Sequence, residues 1–297
     1  MDRWPFSKFQ GAGNDFIVVD DRSLLFPLDD RSLIARLCHR QLGIGADGLI
    51  LLQPPSKAKP ELSERPESQL NVIHADFRMR IFNADGLEAA MCGNGIRCLI
   101  AFLERLKVIQ SSYRIETLDD VKHCERQGAS IAVEMGRPLI RALNMSIPLA
   151  KTCYEGALIH IGVPHVVIFA RSLADLDVAG AGREIRHHPL FKPEGVNVNF
   201  AAVREDGRVQ LRTYERGVED ETLACGTGAV AAATIAVKKY HLQGELTIVP
   251  ASNQEIGVEL IWNGGEPQAA IMKGGAAFVF EGSIDLAEHE TLKNRFF

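Results

Sequence analysis

The chain has no excess of basic residues, no long apolar run and no regular cysteine framework, and each lack excludes a class of protein. Its 33 lysines and arginines against 38 acidic residues leave a formal net charge of −5. That offers none of the positive footprint nucleic acid requires. No stretch approaches the roughly 20 apolar residues of a membrane span. Met1-Asp2-Arg3-Trp4-Pro5 carries no signal-peptide core, so no membrane partner is expected and the cytoplasm is the expected location. The six cysteines stand at 38, 92, 98, 124, 153 and 225. They form no CxxC pair and follow no disulfide spacing, and in a reducing compartment free thiols are expected. Cys38-His39 makes a poor zinc site, because adjacent side chains splay apart and no second ligand pair stands at zinc spacing. No metal is expected.

What is present is an ordinary globular composition, 46% hydrophobic and 24% charged over 297 residues. That length makes two domains the default. Strand-like stretches outnumber helical ones. They are Phe16 to Val19, Leu49 to Leu52, Phe77 to Phe82, Ile131 to Met135, Ala157 to Ile161, Val166 to Phe169, Val196 to Phe200, Val209 to Tyr214, Leu246 to Val249, Ile256 to Ile261, Ala269 to Met272 and Ala277 to Phe280. Antiparallel sheet is expected to dominate. One helix is predicted over Arg31 to Arg40, with Asp29 or Asp30 as its N-cap. A second runs from Gly95, where Ile96, Leu99, Ile100, Leu103 and Leu106 repeat at helical spacing. A third runs from Gly226, and Gly228 to Val237 has almost no polar face, as in a helix enclosed on all sides. Pro54 to Asn71, rich in Pro, Ser, Lys and Glu, reads as a long exposed loop.

Cys-Gly-x-Gly occurs twice, as Cys92-Gly93-Asn94-Gly95 and Cys225-Gly226-Thr227-Gly228, each where a helix opens. A helix N-terminus stabilises the thiolate and can draw a thiol pKa from about 8.5 toward neutrality. The glycines leave N–H groups open to an anion such as a carboxylate. Each copy reads as an acid/base group beside an anion cradle. The halves look related: Gly13-Asn14-Asp15-Phe16 leads a strand in the first, Gly162-Val163-Pro164-His165 in the second, and Glu88 and Glu221 each stand four residues before a cysteine. Duplication about a pseudo-two-fold axis would bring both cysteines to an interdomain cleft, a favoured ligand site. Two similar groups on opposite faces of one carbon suit stereoinversion, with one thiolate removing the Cα proton and the other thiol delivering one.

At the level of motifs the chain resembles the diaminopimelate epimerase family. The resemblance is carried by Gly11-Ala12-Gly13-Asn14-Asp15-Phe16, His39-Arg40 with Gly43-Ile44-Gly45-Ala46-Asp47-Gly48, Asn83-Ala84-Asp85-Gly86, Met91 to Cys98, Val196-Asn197, Glu215-Arg216-Gly217 and Thr222 to Gly228, in order from Phe6 to about Ile284. It implies an α+β fold of two similar pseudo-symmetric domains, each a curled, mostly antiparallel sheet around a central helix. Residues 1–135 and 276–297 would form the N-terminal domain and 136–275 the C-terminal one. It implies a cofactor-independent epimerase, without pyridoxal phosphate, that interconverts LL- and meso-diaminopimelate in lysine and peptidoglycan synthesis. Cys92 and Cys225 would be the acid/base pair, assisted by His165 and Glu215. Gly93, Asn94, Gly226 and Thr227 would hold the reacting centre, while Asn14, Asn83, Asn197, Glu215 and Arg216 would contact substrate. Arg216 suits the distal carboxylate by charge and fork geometry. The partner would be a small amino acid, and a homodimer is implied by the resemblance alone.

Three positions depart from the family pattern: Val163 replaces the asparagine of Gly-Asn-Pro-His, Glu219-Asp220-Glu221 lengthens the loop after Arg216, and Gly48 stands where some members have glutamine. A racemase for another amino acid is the nearest alternative. Asn94, where proline racemases typically carry histidine, argues against proline. A binding protein or a redox sensor closing a Cys92–Cys225 disulfide is the alternative of a different class. Cys38, Cys98, Cys124 and Cys153 read as structural, and His165 has an ordinary pKa near 6.5 that permits an acid/base role. Glu215 and Arg216 would face opposite sides of a regular strand, so a shared site requires a bend at Gly217.

Overall fold

A computed structural model describes residues 3–28, 30–56, 74–150 and 152–285. The loop expected from Pro54 to Asn71 lies almost wholly outside the described residues, as does Asp29. The chain divides into two compact units, one of Met1–Gly11, Asp15–Ile131 and Ala276–Phe297, the other of Ala12–Asn14 and Ala132–Gly275. Both are mostly antiparallel sheet with few helices.

The first unit runs β1 (Arg3–Gly11), β2 (Asn14–Asp20), α1 (Arg31–Cys38), β3 (Gly48–Gln53), β4 (Phe77–Asn83), β5 (Glu88–Ala89), α2 (Gly93–Arg105), β6 (Ser112–Glu116) and β7 (Val121–Gln127). β8 (Ser130–Gly136) carries the chain into the second unit, which runs β9 (Leu139–Pro148), β10 (Cys153–Ile161), β11 (Val163–Phe169), α3 (Val178–Arg186), β12 (Asn197–Val203), β13 (Val209–Glu215), β14 (Asp220–Thr222), α4 (Gly226–Tyr240), β15 (Leu246–Val249), β16 (Ile256–Asn263) and β17 (Glu266–Gly274). β18 (Ala277–Asp285) returns to the first unit and pairs antiparallel with β1.

The two units repeat one pattern of pairing. β2 lies parallel to β3 as β11 does to β12, and the next neighbours β4 and β13 are antiparallel. β6 is parallel to β4 as β15 is to β13. The equivalence extends to side chains. Phe82 stands opposite Glu88 and Tyr214 opposite Glu221. Two residues before each aromatic, an arginine crosses diagonally to that glutamate: Arg80 Nε and Nη2 donate to Glu88 at 2.7 and 2.7 Å, and Arg212 Nε and Nη2 donate to Glu221 at 2.7 and 2.7 Å. The carboxylates before the cysteines are thus held by bidentate forks on a neighbouring strand.

β3 is buried at every position because both its faces are covered. Leu49 and Leu51 join the core under Leu33, Ile34 and Leu37 of α1, while Ile50 turns the other way toward α2. β12 repeats this, with Val198 and Phe200 packed under Val178 and Ile185 of α3. α4 has the enclosure its sequence predicts: it lies against β10 to β13 and β15 to β17, and Gly228 to Ala236 are buried. Thr234 satisfies its hydroxyl on the Val230 carbonyl at 2.8 Å. His241 closes the helix in the left-handed region, with Lys238 and Lys239 at the end the dipole favours for cations.

Two helix boundaries differ from expectation. α1 ends at Cys38, not Arg40, because His39 turns extended and its ring Nδ1 accepts from the N–H groups of Gln41 and Leu42. α2 starts at Gly93, two residues before the predicted start at Gly95, because the cap lies ahead of it. α3, not predicted from the sequence, is a nine-residue helix that buries Val178, Gly182 and Ile185. Asp30 is the N-cap of α1, accepting from Leu33 N at 3.0 Å.

Several motif residues build the fold. Buried Lys8 reaches Asp15 at 2.7 Å and the Gly45 carbonyl, while Arg40 bridges Asp15 and Asp47 at 2.9 and 2.7 Å. Burial raises the Asp15 pKa, but hydrogen bonds and charge from Arg40 and Lys8 bring it below its ordinary 3.8. A carboxylate depressed on folding stabilises the protein above its unfolded pKa, and that contribution is lost as pH falls through the folded value. Asp15→Asn should cost about 3 kcal/mol in urea unfolding at neutral pH by stranding buried Lys8, with the deficit shrinking toward acid. An equal deficit at pH values on both sides of the carboxylate range would contradict this linkage.

Candidate active site

Each cysteine of the repeated motif is an N-cap. Cys92 precedes α2 with extended backbone, and its sulfur accepts from Gly95 N at 3.4 Å. Cys225 precedes α4 in the same way and accepts from Gly228 N at 3.4 Å. A cap satisfies one of the N–H groups left without intrahelical partners and places the sulfur at the positive end of the helix dipole. The glycine three residues on faces crowding, severe in the second unit. At Gly228 a Cβ would lie 2.3 Å from Asn199 Oδ1 and 3.3 Å from Cys225 Sγ.

In the first unit, Cys92 is half-buried and Gly93 and Asn94 are buried beside it. Asn94 Oδ1 accepts at 2.9 Å from Arg97 Nη2, a guanidinium with 0% exposure. Burial pulls the Arg97 pKa down, and the neighbouring Cys98 and Cys92 thiols act in the opposite sense. Asn83 is exposed at the end of β4, opposite Gly48, and its backbone closes the turn to Leu87. Gly48 has no room for a side chain, since a Cβ would lie 2.4 Å from the Phe82 carbonyl oxygen. Asn14, the first residue of β2, groups with the second unit.

The second unit carries His165, Asn197, Glu215, Arg216, Cys225, Gly226 and Thr227, with His165 paired across β11 and β12 to Asn197. Asn197 Oδ1 accepts from Arg216 N at 2.8 Å, and Glu215 Oε1 accepts from Thr222 Oγ1 at 2.5 Å. Thr227 Oγ1 lies 3.5 Å from Cys225 Sγ. β13 ends at Glu215 and the chain does bend there: Gly217 has φ +91° and Glu219 φ +60°. The lengthened loop is tied down by Glu219, which accepts from Gly217 N at 3.0 Å and from Arg186 Nε at 3.2 Å.

His165 is fully buried, and burial, with charge from His160 and Arg216, pulls its pKa to about 3 in place of the ordinary 6.5. The sequence reading also missed Arg97, Asn199 and Thr213, all fully or nearly fully buried. Asn197-Val198-Asn199-Phe200 held a signal for one of them, since alternation puts both asparagines on a single face of an otherwise apolar strand.

The same fold occurs in the solved structure of a hydroxyproline epimerase from Agrobacterium vitis, with a TM-score of 0.72 at 15% identity over 95% of this chain and 92% of that one. A PhzF-family phenazine biosynthesis protein from Bacillus anthracis matches with a TM-score of 0.71 at 14% identity over 96% of this chain and 100% of that one. The protein is an isomerase of the racemase and epimerase class. The family model described as Diaminopimelate epimerase matches residues 6–140 and 157–279. Relatives named diaminopimelate epimerase include those of Archaeoglobus fulgidus, 38% identical over 96% of this chain and 98% of its own, and Methanothrix thermoacetophila, 38% identical over 99% and 100%. The chain belongs to the diaminopimelate epimerase family.

Burial raises the Cys38 thiol pKa to about 12 and pushes Cys98 up as well. Only thiolates alkylate readily, so Cys38 and Cys98 should stay unmodified by iodoacetamide in the native protein while half-buried Cys92 and exposed Cys153 react. Mass-spectrometric mapping of the modified sites checks this, and native labelling of Cys98 would contradict it.

Proposed function

We propose that this protein interconverts LL- and meso-2,6-diaminopimelate by two-cysteine proton transfer without a cofactor, serving lysine and peptidoglycan synthesis in the cytoplasm. The observation that carries the reading is the matched pair of cysteine caps, each sulfur 3.4 Å from a glycine N–H at a helix start. In one direction a thiolate takes the Cα proton and becomes a thiol, while the other thiol gives its proton to the opposite face and becomes the thiolate. The carbanion between these steps needs electrostatic help, and two helix N-termini beside the α-carboxylate would supply it. Gly93, Asn94, Gly226 and Thr227 hold the reacting centre in this reading. Asn14, Asn83, Asn197 and Glu215 orient the substrate, Arg216 pairs with its distal carboxylate, and His165 and Glu215 assist the thiols. A homodimer belongs to the same proposal.

Reduced protein in deuterated water with LL-diaminopimelate should exchange and invert the Cα proton. Cys92→Ala and Cys225→Ala should each lose inversion by at least about 100-fold, the scale of a missing proton carrier, with unchanged circular dichroism. Near-normal turnover in either folded variant sinks the two-thiol mechanism.

Val163 favours a second reading, a racemase of wider amino-acid range. It opens β11 opposite Ile161 and brings a branched alkyl group where the family pattern has an amide. L-Glutamate and L-proline run beside diaminopimelate separate the readings. Inversion of other amino acids by the wild type, narrowed in Val163→Asn, supports the wider racemase, and activity on diaminopimelate alone discards it.

A further inference from the structure

We propose that Asn199 is a positioning residue that locks His165 as its Nε2–H tautomer, making His165 a neutral hydrogen-bond donor and not a base. The inference rests on the proposed role of His165 in epimerisation and adds the device that sets its protonation.

The repeat shows what is unusual. His165 pairs across β11 and β12 with Asn197 as Phe16 pairs with Gly48, and Asn199 stands opposite Thr213 as Ile50 stands opposite Ile81. His165, Asn199 and Thr213 therefore occupy the positions of Phe16, Ile50 and Ile81. In the first unit, Ile81 and Ile50 press on the start of α2, their Cδ1 atoms 3.0 and 3.1 Å from a Cβ position on Gly95. In the second, Asn199 Oδ1 fills the matching place under Gly228. The apolar trio shows that the fold does not need polar groups here, and three of them buried to 2% exposure or less are costly to keep.

The amide of Asn199 has one orientation. Its Nδ2 donates to the Val166 carbonyl at 3.0 Å and approaches the Asn197 carbonyl at 3.4 Å, while its Oδ1 accepts from Thr213 Oγ1 at 3.1 Å. A flipped amide would set oxygen against two carbonyl oxygens. Nδ2 therefore points a hydrogen at His165 Nδ1, 3.1 Å away, and Nδ1 must accept it. The ring proton is left on Nε2, which is buried and has no hydrogen-bond partner among the described residues. A buried donor without a partner costs stability unless a substrate or reacting group uses it. Protonating Nδ1 would aim two donors at each other and bury a cation. The charged or titratable groups acting on the ring are His160 of β10 and Arg216 after β13, and both oppose that cation.

The test begins on substrate-free, 15N-labelled wild type, using two-bond proton–nitrogen correlation NMR with His165 assigned by the loss of its signals in His165→Gln. One acceptor-type Nδ1 and one protonated Nε2, unchanged between about pH 5 and 8, are expected. Asn199→Leu should mix the tautomers and lower kcat by about tenfold or more at little changed KM, as loss of a histidine's orienting partner does. Thr213→Val, which releases the amide oxygen, should mix them in the same sense should the leucine variant fail to fold. A titrating ring, an Nδ1–H proton, or mixed tautomers in wild type overturn the proposal. So does full kcat in a variant whose tautomers have mixed. Wild-type activity on diaminopimelate is read separately: its absence beside a locked tautomer removes the epimerase reading, while its presence beside a titrating ring removes only this inference.

Discussion

A helix start leaves N–H groups without intrahelical partners, and in both units one of these demands, at the third helical residue, is met by a cysteine sulfur. Much else follows from that. The sulfur stands at the dipole's positive end, and the third residue on is a glycine with strand side chains directly beneath it, most tightly at Gly228, where a Cβ would lie 2.3 Å from Asn199 Oδ1. Capping, packing and thiol chemistry are one arrangement in this protein.

Beneath those helix starts the duplicated units part company. The first supports α2 on isoleucines and buries a guanidinium beside Asn94, and the second sets under α4 an asparagine that a threonine and a histidine contact. The thiols thus share a capping geometry but not an electrostatic setting. Cys92 stands near a permanent buried cation, Cys225 above a neutral polar network. Symmetry of fold coexists with asymmetry of charge.

Motif residues divide by what they touch. Asp15, Arg40 and Asp47 sit in the motifs that carry the family resemblance, yet they close an ion cluster around Lys8. Glu88 and Glu221 flank the cysteines in sequence, yet strand arginines hold them. Proximity along the chain did not separate these structural carboxylates from Glu215, because pairing partners came from other strands.

The sequence by itself determined the sheet-rich class, the enclosed helix at Gly226 and the two cysteine motifs. These are local signals: alternation at period two, a run of small apolar residues with no polar face, and glycines where a backbone must approach closely. It also carried the family, because the motifs occur in a fixed order. Only the tertiary structure decided which way the Asn199 amide points, that Arg97 is buried beneath Asn94, and that the His165 pKa falls to about 3. Each of those depends on burial and on partners brought together from separate strands, and no local pattern in the chain encodes the solvent a side chain loses when the sheet closes over it.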